Sequence, residues 1–339
     1  MTQIFGVRFA PLFIPLHRRV ETFAIVFHLF MFFVSPFLSL FLAVYLLFFT
    51  SYWYLVLLYG LWFIYDFESP RKGTRRFNWF RNLSLWKYYH DYFPLTLVKT
   101  ANLDKTRNYI FGCHPHGIIS MGVVNVFGSE SENVSERFGL SFYICTLKSQ
   151  FYFPLRREYY MACGAIEVSK ESINYVLNQR TKGNAVVIVV GGAAEALDAF
   201  PGTYTITLEN RKGFIKLALQ NGAHLVPVIS FGENDLYDQV GNTSGTFLRL
   251  LQKKLKGVYT YSLPFFYGRG IFNYSFGMLP YRKPVTVVVG NPIEVERIEN
   301  PSMQQVDDLH RVYKEDLVKL FEDHKVKYGV GKDVKMIIV

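Results

Sequence analysis

The feature that most constrains this sequence is a stretch at residues 22–65 that contains no Asp, Glu, Lys or Arg. As a single helix, its 44 residues would extend about 66 Å, at about 1.5 Å per residue. Because the hydrocarbon core of a bilayer is about 30 Å thick, two helical passages fit the stretch better than one. Pro36 and the polar pair Thr50 and Ser51 interrupt it, and the sequence leaves open where the chain reverses.

Basic residues stand on both sides of this stretch: Arg18 and Arg19 precede it, and four more follow at positions 71, 72, 75 and 76. Because loops rich in Lys and Arg stay on the cytosolic side of a membrane, both flanks are expected there. We therefore predict a cytosolic N-terminus (1–21), a hydrophobic helical hairpin (22–65) and a cytosolic domain (66–339). Whether the hairpin spans the bilayer or dips in and returns is open. A cleaved signal peptide is disfavoured, because the apolar region of a signal peptide is only about 7–15 residues long and this stretch is much longer.

The composition excludes several classes of protein. Aromatic residues make up 17% of the chain, whereas disordered chains are poor in them. Three isolated cysteines, Cys113, Cys145 and Cys163, fit neither a disulfide scaffold nor a metal site. The net charge of +10 is not accompanied by a nucleic-acid-binding motif. An anionic membrane leaflet or a phosphate-bearing ligand explains the charge more simply.

Short β-branched runs alternate with helical patterns after the hydrophobic stretch. Strands are predicted at residues 109–111, 142–145, 185–190, 224–229 and 284–289, and helices at 169–180, 211–221 and 302–325. The run Ala-Val-Val-Ile-Val-Val at 185–190 is typical of a strand that is buried on both faces. This alternation predicts an α/β fold with a largely parallel sheet.

The most informative peptide is His-Pro-His-Gly at residues 114–117, which directly follows a predicted strand. Loops at the carboxyl ends of parallel strands are where α/β proteins place their sites. Histidine titrates near neutral pH, so His114 or His116 could take a proton from a hydroxyl. The alternative is a pair of structural histidines in a turn. No further His or Cys cluster at ligand spacing accompanies them, so we expect no metal.

A second peptide, Gly-Gly-Ala-Ala-Glu at residues 191–195, follows the most apolar predicted strand. Gly191 and Gly192 permit a tight turn, which would place Glu195 at the same rim of the sheet as the two histidines. A carboxylate there could orient an imidazole. The alternative is a glutamate favoured at a helix start by the macrodipole. Backbone N–H groups after Gly117 or at the two glycines could stabilise an oxyanion.

Arg211 and Lys212 stand at the start of a predicted helix, where cations oppose the helix dipole. This placement suggests an anionic ligand such as a phosphate, and a solvated pair of cations is the alternative. Two aromatic segments, 83–98 and 151–161, also contain basic residues. They suit either a membrane–water interface or an ordinary core with a charged edge.

Taken together, these motifs resemble the type 2 diacylglycerol acyltransferase family, which includes monoacylglycerol and wax-alcohol acyltransferases. The resemblance covers residues 90–328. It rests on Tyr-Phe-Pro at 92–94, His-Pro-His-Gly at 114–117, Val-Val-Gly-Gly-Ala-Ala-Glu-Ala-Leu at 189–197, Arg-Lys-Gly-Phe at 211–214 with Leu-Ala at 217–218, Gly-Ala at 222–223 and Leu-Val-Pro-Val at 225–228, Ser-Phe-Gly-Glu-Asn-Asp at 230–235, Tyr-Gly-Arg-Gly at 267–270, and the stretch 284–290.

The resemblance implies an enzyme of the endoplasmic reticulum membrane and of lipid droplets that transfers an acyl group from acyl-CoA to a lipid hydroxyl without a metal or bound cofactor. In that mechanism His116, ahead of His114, is the expected general base, and Glu195 is expected to hold its ring. Arg211, Lys212 and Arg269 are candidate ligands of the coenzyme A phosphates. The lipid bilayer is an expected partner, nucleic acid is not, and a homo-oligomer is left open.

This chain departs from the more distantly similar glycerolipid acyltransferases that use His-x4-Asp, because Ile119 and Met121 stand where that aspartate would be. Those relatives also carry Glu-Gly-Thr-Arg, whereas Ala196 and Leu197 follow Glu195 here. Loss of that arginine removes a phosphate-pairing group and predicts an uncharged acceptor, a diacylglycerol or monoacylglycerol. The alternatives are a wax-alcohol or phosphate-acceptor acyltransferase, and a non-catalytic lipid-binding protein of the same fold.

Overall fold

The computed structural model describes residues 3–11, 13–240 and 264–339. The rest of the predicted N-terminal segment (1–21) and of the predicted domain (66–339) lies outside the described residues. The centre of the fold is a seven-stranded sheet with the order β1-β7-β6-β2-β5-β3-β4. The strands are β1 (Thr96–Lys99), β2 (Tyr109–His114), β3 (Ser141–Thr146), β4 (Ala165–Glu167), β5 (Asn184–Val189), β6 (His224–Phe231) and β7 (Thr286–Val289).

The sheet is mostly parallel, which confirms the predicted α/β fold. Strands β6, β2, β5, β3 and β4 run parallel to one another, while β7 is antiparallel to β6 and parallel to β1. In the centre of the sheet Cys113 lies opposite Val189, and His114 lies opposite Ile229. Every residue of β2 is buried, as expected for a strand that is covered on both faces.

Helices cover both faces of the sheet. They are α1 (Leu16–Leu29), α2 (Ser35–Phe49), α3 (Trp53–Tyr65), α4 (Asn78–Arg81), α5 (Ser84–Tyr92), α6 (Met121–Gly128), α7 (Val134–Phe138), α8 (Arg156–Ala162), α9 (Lys170–Leu177), α10 (Gly192–Glu195), α11 (Gly213–Asn221) and α12 (Met303–His324). Side chains of α1, α5, α6 and α8 share one apolar core, and those of α9, α11 and α12 form the core on the opposite face.

The uncharged stretch forms a helical hairpin that reverses at residues 50–52, so the polar pair and not Pro36 marks the turn. A short π-helix (Phe30–Val34) joins α1 to α2, and residues 16–49 form one helix long and apolar enough to cross a membrane. The 13 residues of α3 correspond to an arm of about 20 Å, and the arm that ends with α2 is longer, because residues 22–49 of its helix extend about 42 Å. Most of their apolar side chains are exposed to the surroundings, whereas Ala24 and Ile25 of α1 are buried against the domain.

A buried cluster of charges fixes the hairpin to the domain where α3 ends. Asp66 lies 2.9 Å from Arg75 and 2.6 Å from Arg157, whose side chain is fully buried. The guanidinium of Arg157 also lies under the ring of Phe63, 5.1 Å from its centroid. Since a buried charge is tolerated when it is paired, this cluster ties the second arm of the hairpin to α8.

Most aromatic side chains of the two segments with basic residues lie in the core. Trp86, Tyr89 and Tyr92 of α5 are at most 2% exposed. In the other segment Tyr159 contacts the rings of Trp86 and Phe80. Helices α5 and α8 therefore join α1 to the sheet, and the core interpretation of these segments is the one that the structure supports.

Candidate active site

Three loops meet at one edge of the sheet, because they follow the carboxyl ends of the adjacent parallel strands β6, β2 and β5. The loop after β2 contains the His-Pro-His-Gly motif, here called the HPHG turn (114–117). The loop after β5 contains Glu195, and the loop after β6 contains Glu233. The first two loops were predicted to meet at this edge, whereas Glu233 appeared only within the Ser-Phe-Gly-Glu-Asn-Asp motif of the family resemblance.

His114 is fully buried and bonded to the core. Its Nε2 lies 3.1 Å from the hydroxyl oxygen of Tyr313, and that hydroxyl donates to the carbonyl of Gly112. The hydroxyl proton is thereby used, so His114 Nε2–H donates to Tyr313. Burial lowers the pKa of His114 to about 3, which keeps the ring neutral. These contacts favour a structural role for His114, tying the end of β2 to α12.

His116 is partly exposed, and one of its two ring nitrogens is hydrogen-bonded. Its Nδ1 lies 3.0 Å from the carbonyl oxygen of Gly117. Because a carbonyl only accepts hydrogen bonds, Nδ1 carries the proton and Nε2 keeps its lone pair. Within the described residues, Nε2 has no hydrogen-bond partner. Burial also lowers the pKa of His116, so its neutral, proton-accepting form is favoured at neutral pH.

Glu195 is 1% exposed and lies against the HPHG turn, but not against a histidine ring. Its Oε1 accepts the backbone N–H of His116 at 2.9 Å, and its Oε2 accepts that of Thr207 at 3.2 Å. The prediction that this carboxylate bonds the imidazole ring is therefore wrong for this structure. The physical reason is that the carbonyl of Gly117 already occupies Nδ1, while two backbone donors take the carboxylate.

The glycines of this edge leave room for Glu195 and permit the turns. A Cβ on Gly191 would lie 1.5 Å from Oε2 of Glu195, so only glycine fits beneath the carboxylate. Gly117 and Gly192 have φ angles of +60° and +59°, in the left-handed region that glycine adopts without strain. Their expected role as oxyanion donors stays a prediction.

Burial raises the pKa of Glu195 to about 7, partly offset by the two backbone donors, and the charge of Arg211 also lowers it. Arg211 is exposed and lies just before α11, near the carboxylate. Lys212 stands beside it and makes an ion pair with Asp307 at 2.7 Å. Of the predicted phosphate ligands, Arg211 is thus the one exposed near the three loops.

Arg269 lies in a different environment. It is 8% exposed, and its guanidinium lies between the rings of Tyr92 and Tyr274, 5.7 and 5.1 Å from their centroids. Its backbone pairs with Leu279. None of these contacts, among the residues that the structure describes, involves the HPHG turn or the Glu195 loop.

Glu233 is the residue at this edge that sequence reasoning missed as part of the site. It is 2% exposed, and its Oε2 accepts the backbone N–H of Gly122 at 3.0 Å and the hydroxyl of Ser230 at 3.1 Å. Burial raises the pKa of Glu233 to about 7. The available signal was its position, since Glu233 directly follows a buried strand next to β2.

We expect Tyr313→Phe to lower the free energy of unfolding by about 1–3 kcal/mol, because it leaves the buried His114 Nε2–H and the Gly112 carbonyl without their partner. The measurement is thermal or denaturant unfolding of the purified chain. Tyr175→Phe is the matched control, because Tyr175 is 47% exposed. Equal stability of the two variants would contradict a structural role for this bond.

Comparisons with known proteins show similarity to acyltransferases. The family model "Diacylglycerol acyltransferase" matches residues 45–339. The chain is 46% identical over 332 residues to cattle 2-acylglycerol O-acyltransferase 1, covering 98% of this chain and 99% of that protein. It is 48% identical over 286 residues to human diacylglycerol O-acyltransferase 2, covering 84% and 74%. A solved 1-acyl-sn-glycerophosphate acyltransferase from Thermotoga maritima aligns with a TM-score of 0.41 and 11% identity, over 91% of this chain and 97% of that one.

Proposed function

Because the chain belongs to the diacylglycerol acyltransferase family, we propose that the sheet edge around His116 is the active site of this acyl-CoA-dependent O-acyltransferase. The enzyme transfers a fatty acyl group to an acylglycerol hydroxyl and so makes di- and triacylglycerols. The observation that supports this site is the state of His116: Nδ1 is held by the carbonyl of Gly117, and Nε2 is available as a base.

In the proposed mechanism, His116 Nε2 takes the proton of the acceptor hydroxyl while its oxygen attacks the thioester carbonyl. The carbon–sulfur bond then breaks, and coenzyme A leaves as a thiolate. This leaving group needs little acid assistance, because a thiol has a pKa of about 8.5. The imidazolium returns its proton to the thiolate or to water. General-base assistance of this kind is typically worth about 10²–10⁴-fold in rate.

Glu195 supports the base through the backbone in this proposal. Its carboxylate holds the N–H of His116, and the Gly117 carbonyl fixes the ring and stabilises the imidazolium that forms. The division of roles differs from that of a triad, in which the carboxylate bonds the ring itself. It predicts that Glu195 acts on the position of the turn more than on the charge of the ring.

An uncharged acceptor is proposed because the chain after Glu195 provides no phosphate ligand. Ala196 and Leu197 are each 3% exposed and contribute to the core. A phosphate-bearing acceptor would be expected to have a cation in this segment, directly after the glutamate. We propose monoacylglycerol and diacylglycerol as acceptors. The match to 2-acylglycerol acyltransferases over nearly the whole chain makes monoacylglycerol the first to test.

The test of this function is transfer of a labelled acyl group from acyl-CoA to a panel of acceptors in membranes that contain the chain. The panel comprises monoacylglycerol, diacylglycerol, a long-chain alcohol and lysophosphatidate. We expect labelled di- and triacylglycerol. Phosphatidate as the main product would support the phosphate-acceptor alternative, a wax ester would support the alcohol alternative, and no product with any acceptor would support a non-catalytic lipid-binding protein.

Arg211 is proposed to contact a phosphate of acyl-CoA, with Lys212 beside it. We expect Arg211→Ala to raise KM for acyl-CoA about 2–5-fold, the magnitude of a solvent-exposed ion pair, with little change in kcat. Arg211→Ala combined with Lys212→Ala should raise it further. Lys216→Ala is the matched control, since it removes an exposed cation from the next turn of α11. An unchanged KM in the double variant would contradict this assignment.

We also propose that the hairpin enters the cytosolic face of the endoplasmic reticulum membrane and returns to the same side, and that it can enter lipid droplets. The second arm, α3, extends about 20 Å and is shorter than a hydrocarbon core of about 30 Å, although the helix of the first arm is long enough to cross it. A hairpin that stays within part of the bilayer also suits a droplet, which has a single phospholipid layer around its oil. Basic residues on both flanks support the cytosolic placement of the domain.

A further inference from the structure

We propose that Glu233 is a positioning residue for His116, holding the chain beyond the HPHG turn while Glu195 holds the turn itself. This proposal rests on the function proposed above and adds a residue to that site. Glu233 follows β6, and Glu195 follows β5, so the two carboxylates approach the turn after β2 from its two neighbouring strands.

The carboxylate of Glu233 is bonded to the start of α6. Its Oε2 accepts the N–H of Gly122, the second residue of that helix, at 3.0 Å. The hydroxyl of Ser230 donates to the same oxygen at 3.1 Å. A carboxylate at this place favours the helix, because it lies at the positive end of the helix dipole. Glu233 thereby fixes where α6 begins.

The same side chain lies directly against the turn. A Cβ on Gly117 would be 2.7 Å from Cγ of Glu233, and a Cβ on Gly122 would be 2.7 Å from its Oε2. Both glycines therefore leave space that Glu233 fills. The carbonyl of Gly117 bonds His116 Nδ1. A change at Glu233 that moves Gly117 would therefore also move the ring of His116.

The segment between the two carboxylates is closed by its own hydrogen bonds. The backbone N–H and the hydroxyl of Ser120 both donate to the carbonyl of His116, at 3.0 and 2.9 Å. Residues 116–122 are thus held by Glu195 at one end, by Ser120 in the middle and by Glu233 at the other end. If the start of α6 is displaced, the whole segment 116–122 is expected to move with it.

Stability alone gives a poor account of Glu233. A buried carboxylate is costly unless it is paired, and no cation among the residues that the structure describes forms an ion pair with Glu233. Buried ionisable groups without a charge partner that lie beside a reactive side chain are typical of functional sites. The geometry at Gly117 and Gly122 identifies the function as placement of the turn.

The test compares Glu233→Ala, Glu233→Gln and Glu167→Gln in the full chain, reconstituted in lipid. Glu167 is the matched control, because it is 6% exposed and lies at the end of the edge strand β4. We expect Glu233→Ala to lower kcat about tenfold, the effect of losing the hydrogen bond that places the start of α6, with KM for acyl-CoA unchanged. Glu233→Gln keeps an acceptor oxygen for Gly122 and should recover most of kcat, and Glu167→Gln should match the wild type.

Amide hydrogen exchange of residues 116–122 gives a second readout that needs no activity. We expect faster exchange in Glu233→Ala than in Glu233→Gln. A wild-type kcat in Glu233→Ala, or a loss that only follows the fraction of unfolded protein in thermal melts, would overturn the proposal. Unchanged exchange in Glu233→Ala would also overturn it. If Glu233→Ala does not fold, Glu233→Asp, which is too short to reach Gly122, is judged by the same criteria. Failure of the proposed function itself would appear separately, as a wild-type chain without acyl transfer.

Discussion

His116→Gln is expected to lower kcat for acyl transfer about 10²–10⁴-fold, the usual contribution of general-base catalysis, without unfolding the chain. The ring is partly exposed, and its only described side-chain bond is to Gly117. The variant therefore loses the Nε2 lone pair and little packing. The measurement is labelled acyl transfer to monoacylglycerol and diacylglycerol at saturating acyl-CoA, with a thermal melt of the same preparation.

His324→Gln is the control for this experiment, because His324 Nδ1 also contacts a carbonyl, that of Leu320, at 3.0 Å. It lies at the end of α12, on the other face of the sheet, and its replacement should leave kcat within about twofold, as is usual for substitutions away from a site. A folded His116→Gln variant with wild-type kcat would remove His116 as the base. His114→Gln would then be the next variant to measure.

Glu195→Ala is expected to lower kcat about 10²-fold and to destabilise the fold, because it leaves the N–H groups of His116 and Thr207 without an acceptor at about 1–3 kcal/mol each. Gly191→Ala should reproduce this loss, since its Cβ would overlap Oε2 of Glu195. Gly192→Ala is the informative comparison, because a Cβ there meets nothing within 4 Å and carries only the cost of its left-handed backbone. Equal kcat in Gly191→Ala and the wild type would contradict the role assigned to Glu195.

Glu195→Gln is also expected to change how the free energy of unfolding depends on pH. Burial raises the pKa of Glu195 from 4.5 to about 7, so the folded chain keeps this proton to a higher pH than the unfolded chain. Its contribution to stability is therefore fully present below about pH 4.5 and is lost as pH rises to about 7, by at most about 3 kcal/mol. The glutamine variant should lack this decline. Glu233 titrates in the same direction in both chains, so the difference between the two unfolding curves isolates Glu195. Parallel curves would contradict the raised pKa.

Much of the architecture could be predicted because it depends on local patterns. The strands predicted at 109–111, 142–145, 185–190, 224–229 and 284–289 were all confirmed, and no end differs by more than three residues. Parallel neighbours place the loops after β2 and β5 at one edge, so the meeting of His116 and Glu195 also followed from the pattern. The short strands β1 and β4 were missed, because four and three residues are too few to show a period.

The sequence by itself determined which segments are buried, where they end and which loops share an edge, because burial and chain reversal depend on side-chain type and on glycine. The tertiary structure alone decided which atoms meet. It directs Glu195 to a backbone N–H and away from the imidazole, encloses Arg269 between two rings, and brings Glu233 onto Gly117. The physical reason is that these contacts join residues far apart in sequence, and their geometry depends on how the strands and helices pack against one another.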